Sequence, residues 1–217
     1  MPKISRTNAI SLLIAKKGTG KTALATALAI TQPKKVFWIT PLKTELYFFK
    51  NDTWGLQNAD FNDTKQICYI FADSYQNLQT NLQSLQEKIR ENNEQNGAIG
   101  ALIVIDEIDF YLKRNTIDEI YKIINYGRHL NIDFLAIARQ IQTTPTTLRT
   151  NIDNFIIGES WNLTNDRKFY ADFLTDDELK IVENLGKFEF FKKNIHKKCE
   201  ILTINQKVYD IMEQFKC

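Results

Sequence analysis

The sequence predicts an α/β fold, a central and mostly parallel sheet flanked by helices. Three observations predict it. Short apolar runs alternate with helical stretches from residue 9 to residue 158, the pattern of parallel strands joined by crossovers. The first run stops at Lys16-Lys17-Gly18-Thr19-Gly20-Lys21-Thr22, a glycine-rich turn leading into a helix. The most apolar run, ALIVI, ends directly in Asp106-Glu107.

Residues 9–15 (AISLLIA) read as a buried strand ending in a turn. Residues 22–30 (TALATALAI), rich in Ala and Leu, read as a helix. Residues 35–40 (KVFWIT) form a second strand closed by Pro41. Residues 42–65 lack periodicity and read as an insertion or lid. Residues 66–71 (QICYIF) are a third strand. Residues 74–95 carry Leu78, Leu82, Leu85 and Ile89 at helical spacing, which makes an amphipathic packing helix. Residues 101–105 read as a strand buried on both faces. A helix over 116–126 and strands over 132–138 (IDFLAIA) and 154–158 (NFIIG) follow.

After Glu159 the pattern changes. Helices are expected over 166–174 and 176–185, strands over 187–192 and 200–204 that could pair as a hairpin, and a terminal helix over 208–215. Residues 1–160 are therefore expected to form the core, and 161–217 a C-terminal hairpin and helix extension that completes the same domain.

The bulk composition excludes several classes. A net charge of +2, from 28 basic and 26 acidic residues, leaves any nucleic-acid surface local. Cys68, Cys199 and Cys217 are far apart and odd in number, which argues against a disulfide framework or a zinc site and for a reducing compartment. Two histidines, His129 and His196, do not make a metal cluster. No stretch reaches the roughly 18 apolar residues of a membrane span, and the start has no signal-peptide run.

Gly18-Thr19-Gly20-Lys21-Thr22 between a strand and a helix is a phosphate-binding loop. Its glycines let successive amides turn inward around phosphate oxygens, and the helix start adds a positive dipole end. Lys17, Gly18, Thr19, Gly20 and Lys21 are expected to cradle the phosphates, with Lys21 on the β- and γ-groups. The Thr22 hydroxyl is placed to ligate Mg²⁺. The loop departs from the common pattern in having Ala15 where a first glycine is usual. Asp106 and Glu107, at the carboxyl end of their strand, suit a magnesium partner and a general base for water. Asp109 is a weaker candidate for the same neighbourhood and reads first as a helix cap. KVFWIT and QICYIF fall between the loop and the acidic strand in sequence. By analogy of fold, this favours RecA-like P-loop NTPases of the additional-strand, catalytic-glutamate (ASCE) type over kinase-like ones.

The succession Gly127-Arg128-His129, IDFLAIA, Arg139-Gln140, Pro145 and Leu148-Arg149-Thr150-Asn151 is more specific. Over roughly residues 10–158 the chain resembles the FtsK/HerA superfamily of ring-forming DNA-pumping ATPases. Within it, the chain is similar to the genome-packaging ATPases of internal-membrane viruses and related phages. The resemblance implies ATP and Mg²⁺ as cofactors. It also implies a homo-oligomeric ring, hexameric by resemblance, acting on DNA without reading its sequence. A capsid vertex or membrane partner, and a place in the host cytoplasm or the virion, go with it. It implies that Arg128 reaches a neighbouring subunit's ATP and that a polar sensor ends the strand, a role for which Gln140 and Arg139 both qualify. The lysines Lys187, Lys192, Lys193, Lys197, Lys198 and Lys207, with Phe188, Phe190 and Phe191 among them, suit either a phosphate-tracking hairpin or a lysine-protected edge strand. Two other readings stay open: a P-loop phosphotransferase acting on a nucleotide or small molecule, with residues 42–65 as its lid, and a non-motor ATP switch.

Overall fold

A computed structural model describes residues 8–42, 52–61, 63–64, 66–97, 100–112, 117–159, 163–194, 199–205 and 208. Much of the expected insertion at 42–65, and nearly all of the expected helix at 208–215, lie outside the described residues.

The described residues build a nine-stranded sheet. Its strands are β1 (Ile10–Ile14), β2 (Lys35–Thr40), β3 (Thr53–Trp54), β4 (Ile67–Phe71), β5 (Ala101–Ile105), β6 (Ile132–Ala138), β7 (Asn154–Gly158), β8 (Glu189–Asn194) and β9 (Glu200–Thr203). The helices are α1 (Lys21–Ile30), α2 (Tyr75–Asn96), α3 (Ile108–Tyr111), α4 (Asp118–Leu130), α5 (Thr146–Arg149), α6 (Leu163–Tyr170) and α7 (Asp176–Glu183). The spatial order is β3-β4-β2-β5-β6-β1-β7-β8-β9. All pairings from β3 to β7 are parallel, and β8 and β9 add antiparallel.

The strands alternate their side chains between two apolar layers, as a period of two requires when both faces are covered. Leu12, Ile14, Phe134, Ala136, Ile103 and Ile105 pack with Leu78, Leu82, Leu85 and Ile89 of α2 and Ile120, Ile123 and Ile124 of α4. Leu13, Leu135, Ile137, Val104 and Ile156 pack on the opposite face with Leu24, Ala25 and Ala29 of α1. Ser74 caps α2 by accepting from the Asn77 amide. Thr175 and Glu178 form a reciprocal capping box on α7.

KVFWIT and QICYIF, which precede β5 in sequence, are β2 and β4 and lie beyond it in the sheet; the strand that stands between β1 and β5 is β6, which comes later in the chain. One expectation changes. Asp109 is not a cap. Glu107 occupies the N-cap position of α3, and the Asp109 carboxylate accepts from the Arg139 backbone N–H at 3.2 Å, tying α3 to the end of β6.

Candidate functional site

The carboxyl ends of β1, β5 and β6 meet at one edge of the sheet, where α1 begins. There a cleft of about 540 Å³ has Lys17, Gly18, Gly20, Lys21, Thr22 and Ala23 on one side. Asp106, Glu107 and Arg139 line the other, with Leu42 at one margin. A smaller cavity of about 210 Å³ lies at the opposite edge of the sheet, among Ala9, Asp133 and Asn154, away from these groups.

The loop turns because Gly18 and Gly20 hold φ of 81° and 88°. Space opens beyond Gly18, where an added Cβ would meet nothing within 4 Å. Ala15 is not among the described non-glycine residues with positive φ, which are Glu107, Asn131 and Phe188. A methyl at position 15 therefore costs no backbone strain. The room for it comes from Gly158, where a Cβ would sit 2.8 Å from that of Ala15. Thr19 Oγ1 donates to the Lys16 carbonyl at 2.8 Å, and Lys21 Nζ donates to the same oxygen at 3.0 Å. Lys16 itself pairs with Glu159 just past β7, which anchors the loop to the sheet. Burial pushes the Lys21 pKa down, against the raising pull of Asp106. An anion beside Lys21 would restore its charge a partner, so the cradle fits a polyphosphate.

Asp106 is nearly buried. Its Oδ1 accepts from the Glu107 amide at 3.0 Å. Burial first, and then the neighbouring Glu107 charge, push its carboxyl up from an ordinary value near 3.8 to about 6. A divalent cation would relieve that penalty. One carboxylate plus the Thr22 hydroxyl is a donor set typical for Mg²⁺, which draws its remaining ligands from phosphates and water. Among the described residues no group of three or more His, Cys, Asp or Glu side chains is placed to hold a metal without such help.

A pH effect follows from Asp106. Its folded pKa exceeds its unfolded one, so the nucleotide-free fold grips that proton more tightly than the unfolded chain does. Stability is therefore expected to fall as pH rises from about 4 to about 6 and to level off above, by up to about 3 kcal/mol. Asp106→Asn should flatten that part of the profile in melting experiments from pH 4 to 8. Parallel profiles for the two proteins would refute the assignment.

Glu107 sits at φ 52°, a left-handed conformation that side chains other than glycine adopt at a cost. Its carboxylate pairs with the Arg139 guanidinium across the cleft. Arg139 is half exposed, and its backbone is held by Asp109. The side chain is thus free to trade Glu107 for an anion in the cleft. Gln140 lies one residue further on, and its carbonyl accepts from Thr143 and Thr144. Arg139, not Gln140, lines the cleft.

The structure thus brings together Lys17, Gly18, Gly20, Lys21, Thr22, Asp106 and Glu107, adds Arg139, and holds Thr19 in the loop's own hydrogen bonding. It does not bring Arg128. That residue is exposed in the last turn of α4, at the edge where β6 starts. A strand of this length separates it from its own loop by roughly 20 Å. The basic hairpin is partly neutralised: Lys192 pairs with Glu200 at 2.7 Å and Lys193 with Glu178 at 2.6 Å. Lys197, Lys198 and Lys207 lie outside the described residues. The Arg139–Glu107 pair was not readable from the sequence, although both residues end neighbouring strands of apolar character.

A family model described as the Poxvirus A32 protein matches residues 5–217. The chain belongs to this family. Solved structures share the fold. The genome packaging NTPase B204 of Sulfolobus turreted icosahedral virus 2, in complex with AMPPCP, is 14% identical with a TM-score of 0.70, over 89% of this chain and 96% of that one. B204 of Sulfolobus turreted icosahedral virus, described as a DNA-packaging ATPase, is 14% identical with a TM-score of 0.69, over 92% and 100%. ATPases 2 and 3 of EssC from Geobacillus thermodenitrificans are 13% identical with a TM-score of 0.55, over 95% and 43%. No curated protein sequence matches the chain. Like these neighbours, the A32-family chain has the fold of RecA-like P-loop ATPases. No helix among its described residues is long and apolar enough to cross a membrane.

Proposed function

We propose that this A32-family protein is a viral genome-packaging ATPase that hydrolyses ATP to move DNA into a preformed capsid. The observation that carries the reading is the facing of Lys21 and Thr22 across one cleft from Asp106 and Glu107, within a chain matched end to end by the family.

Lys17, Gly18, Thr19 and Gly20 hold the phosphates with backbone amides, and Lys21 reaches the β- and γ-groups. Thr22 and Asp106 would hold Mg²⁺, which would supply positive charge at the terminal phosphates. Glu107, once released by Arg139, orients the attacking water and takes its proton. Arg139 then faces the γ-phosphate from the end of β6, and Gln140 shapes the turn behind it. Residues 161–217 complete the same domain by extending its sheet with β8 and β9.

Arg128 acts on a neighbouring subunit. Its distance from its own loop and its exposure suit a ring in which the starting edge of one sheet faces the next subunit's cleft. A guanidinium there stabilises charge spreading over the γ-phosphate oxygens and makes hydrolysis depend on subunit contact. DNA is held without sequence readout, through phosphate contacts repeated around the ring. A phosphotransferase is disfavoured by Glu107 at the water position and by β6 standing between β1 and β5.

The test combines ATPase rate, DNA and particle mass. Double-stranded DNA should stimulate hydrolysis, and the active species should be an oligomer. Arg128→Ala should lower turnover about 10³-fold while ATP binding persists. Mixing it with Lys21→Ala subunits should restore part of the rate, because each variant supplies what the other lacks. A DNA-indifferent monomer, or a fully active Arg128→Ala protein, would overturn the motor or the finger respectively.

A further inference from the structure

The cleft around Lys21 and Asp106 suits the phosphates, and the nucleoside needs a place beyond it. The γ end of a bound triphosphate is set by Asp106 and Glu107 just past β5, which lies two positions from β1 in the sheet. A phosphate chain threaded through the loop must leave on the other side, toward β7, β8 and β9. At that edge stand Lys187 and Phe188, just before β8, and Ile204, just after β9.

Phe188 and Ile204 press on the loop itself. A Cβ added to Gly20 would run into Ile204 Cδ1 and lie 3.2 Å from Phe188 Cδ1. Phe188 has φ 69°, which a bulky aromatic residue rarely adopts. The conformation is held from three directions. The Ile204 amide donates to the Phe188 carbonyl at 2.9 Å. The Glu189 amide donates to the Gly186 carbonyl at 3.1 Å, closing a turn around Phe188. The Glu189 carboxylate accepts from the Gly186 amide at 2.8 Å. Strain maintained this way at the margin of a ligand site is a mark of function. The ring is only half buried, and Lys187 Nζ lies 4.9 Å from its centroid. Ala23, which lines the cleft, and Phe188 belong to the same apolar layer over α1.

We infer that Phe188, with Ile204 beside it and Lys187 over its ring, forms the wall that receives the adenine base of the nucleotide. The inference rests on the ATPase reading and extends it to the base. A partly exposed aromatic ring next to the α-phosphate end of a P-loop offers stacking to a flat heterocycle once the exposed Lys187 side chain, which lies over the ring, swings aside. The hairpin of β8 and β9, in which Lys192 and Lys193 are paired, then serves the nucleotide site through its base-facing end.

The experiment compares ATP with inorganic tripolyphosphate, each with Mg²⁺, by isothermal titration calorimetry on the full chain. The wild-type protein should bind ATP more tightly than tripolyphosphate. Phe188→Ala should weaken ATP about tenfold and leave tripolyphosphate affinity unchanged. Phe188→Tyr keeps the ring and should keep ATP affinity, which separates stacking from damage to the fold. Equal loss of both ligands in Phe188→Ala, or wild-type ATP affinity in it, overturns the base wall. Failure of the wild-type protein to bind either ligand would instead overturn the nucleotide reading itself.

Discussion

Glu107→Gln is expected to lower ATP turnover by about 10²–10⁴-fold while ATP affinity stays within a few fold of the wild type. The substitution keeps the size of the side chain and an oxygen for Arg139, and removes the basic carboxylate. In the structure that carboxylate is already aimed into the cleft by the left-handed backbone at residue 107 and is occupied by Arg139. On the proposed reading, Glu107 can activate water only after that pair opens, and a nucleotide would open it by offering Arg139 a stronger anion. Phosphate release and equilibrium binding, measured side by side, check the expectation. A variant that turns over at the wild-type rate would remove Glu107 as the base.

Lys21→Ala is expected to weaken ATP binding about a hundredfold, on the order of 3 kcal/mol, and to abolish measurable turnover. With no ligand, Lys21 Nζ satisfies itself on the Lys16 carbonyl, and burial lowers its pKa. Its charge is thus held in the cleft at a cost that a phosphate offsets. Removal of the side chain leaves the phosphate charge without its cation, while the loop keeps the Thr19 bond to the Lys16 carbonyl. Circular dichroism should show an unchanged fold. Wild-type ATP affinity in Lys21→Ala would mean that the loop does not hold phosphate.

The two variants separate roles that look alike in sequence. One should bind without turning over, and the other should fail at binding. The Arg128→Ala mixture adds a third pattern, in which each subunit fails alone and works beside a complementary one. Together they distinguish a self-contained site from one completed by a neighbour.

How much was legible differs by residue, for physical reasons. The strands ALIVI and IDFLAIA were readable because a parallel sheet covered on both faces needs unbroken apolar runs. The loop was readable because Gly18 and Gly20 adopt backbone conformations open to few other residues, and Lys21 and Thr22 follow at fixed offsets. The Ser74 start of α2 follows from local capping chemistry. By contrast, Asp109 looks like a cap in sequence, and its bond to the Arg139 amide spans 30 residues.

What the sequence determined by itself was local: strands, helices, the phosphate loop and the acidic pair, each set by neighbours a few residues apart. The tertiary structure decided which strand stands between β1 and β5. It also paired Arg139 with Glu107, set Gly158 opposite Ala15, laid Phe188 and Ile204 against Gly20, and kept Arg128 away from its own loop. These relations depend on strand order and register, which bring together residues from about thirty to well over a hundred positions apart. No periodicity records them, because the chain's short-range pattern is the same whichever strand its neighbour proves to be.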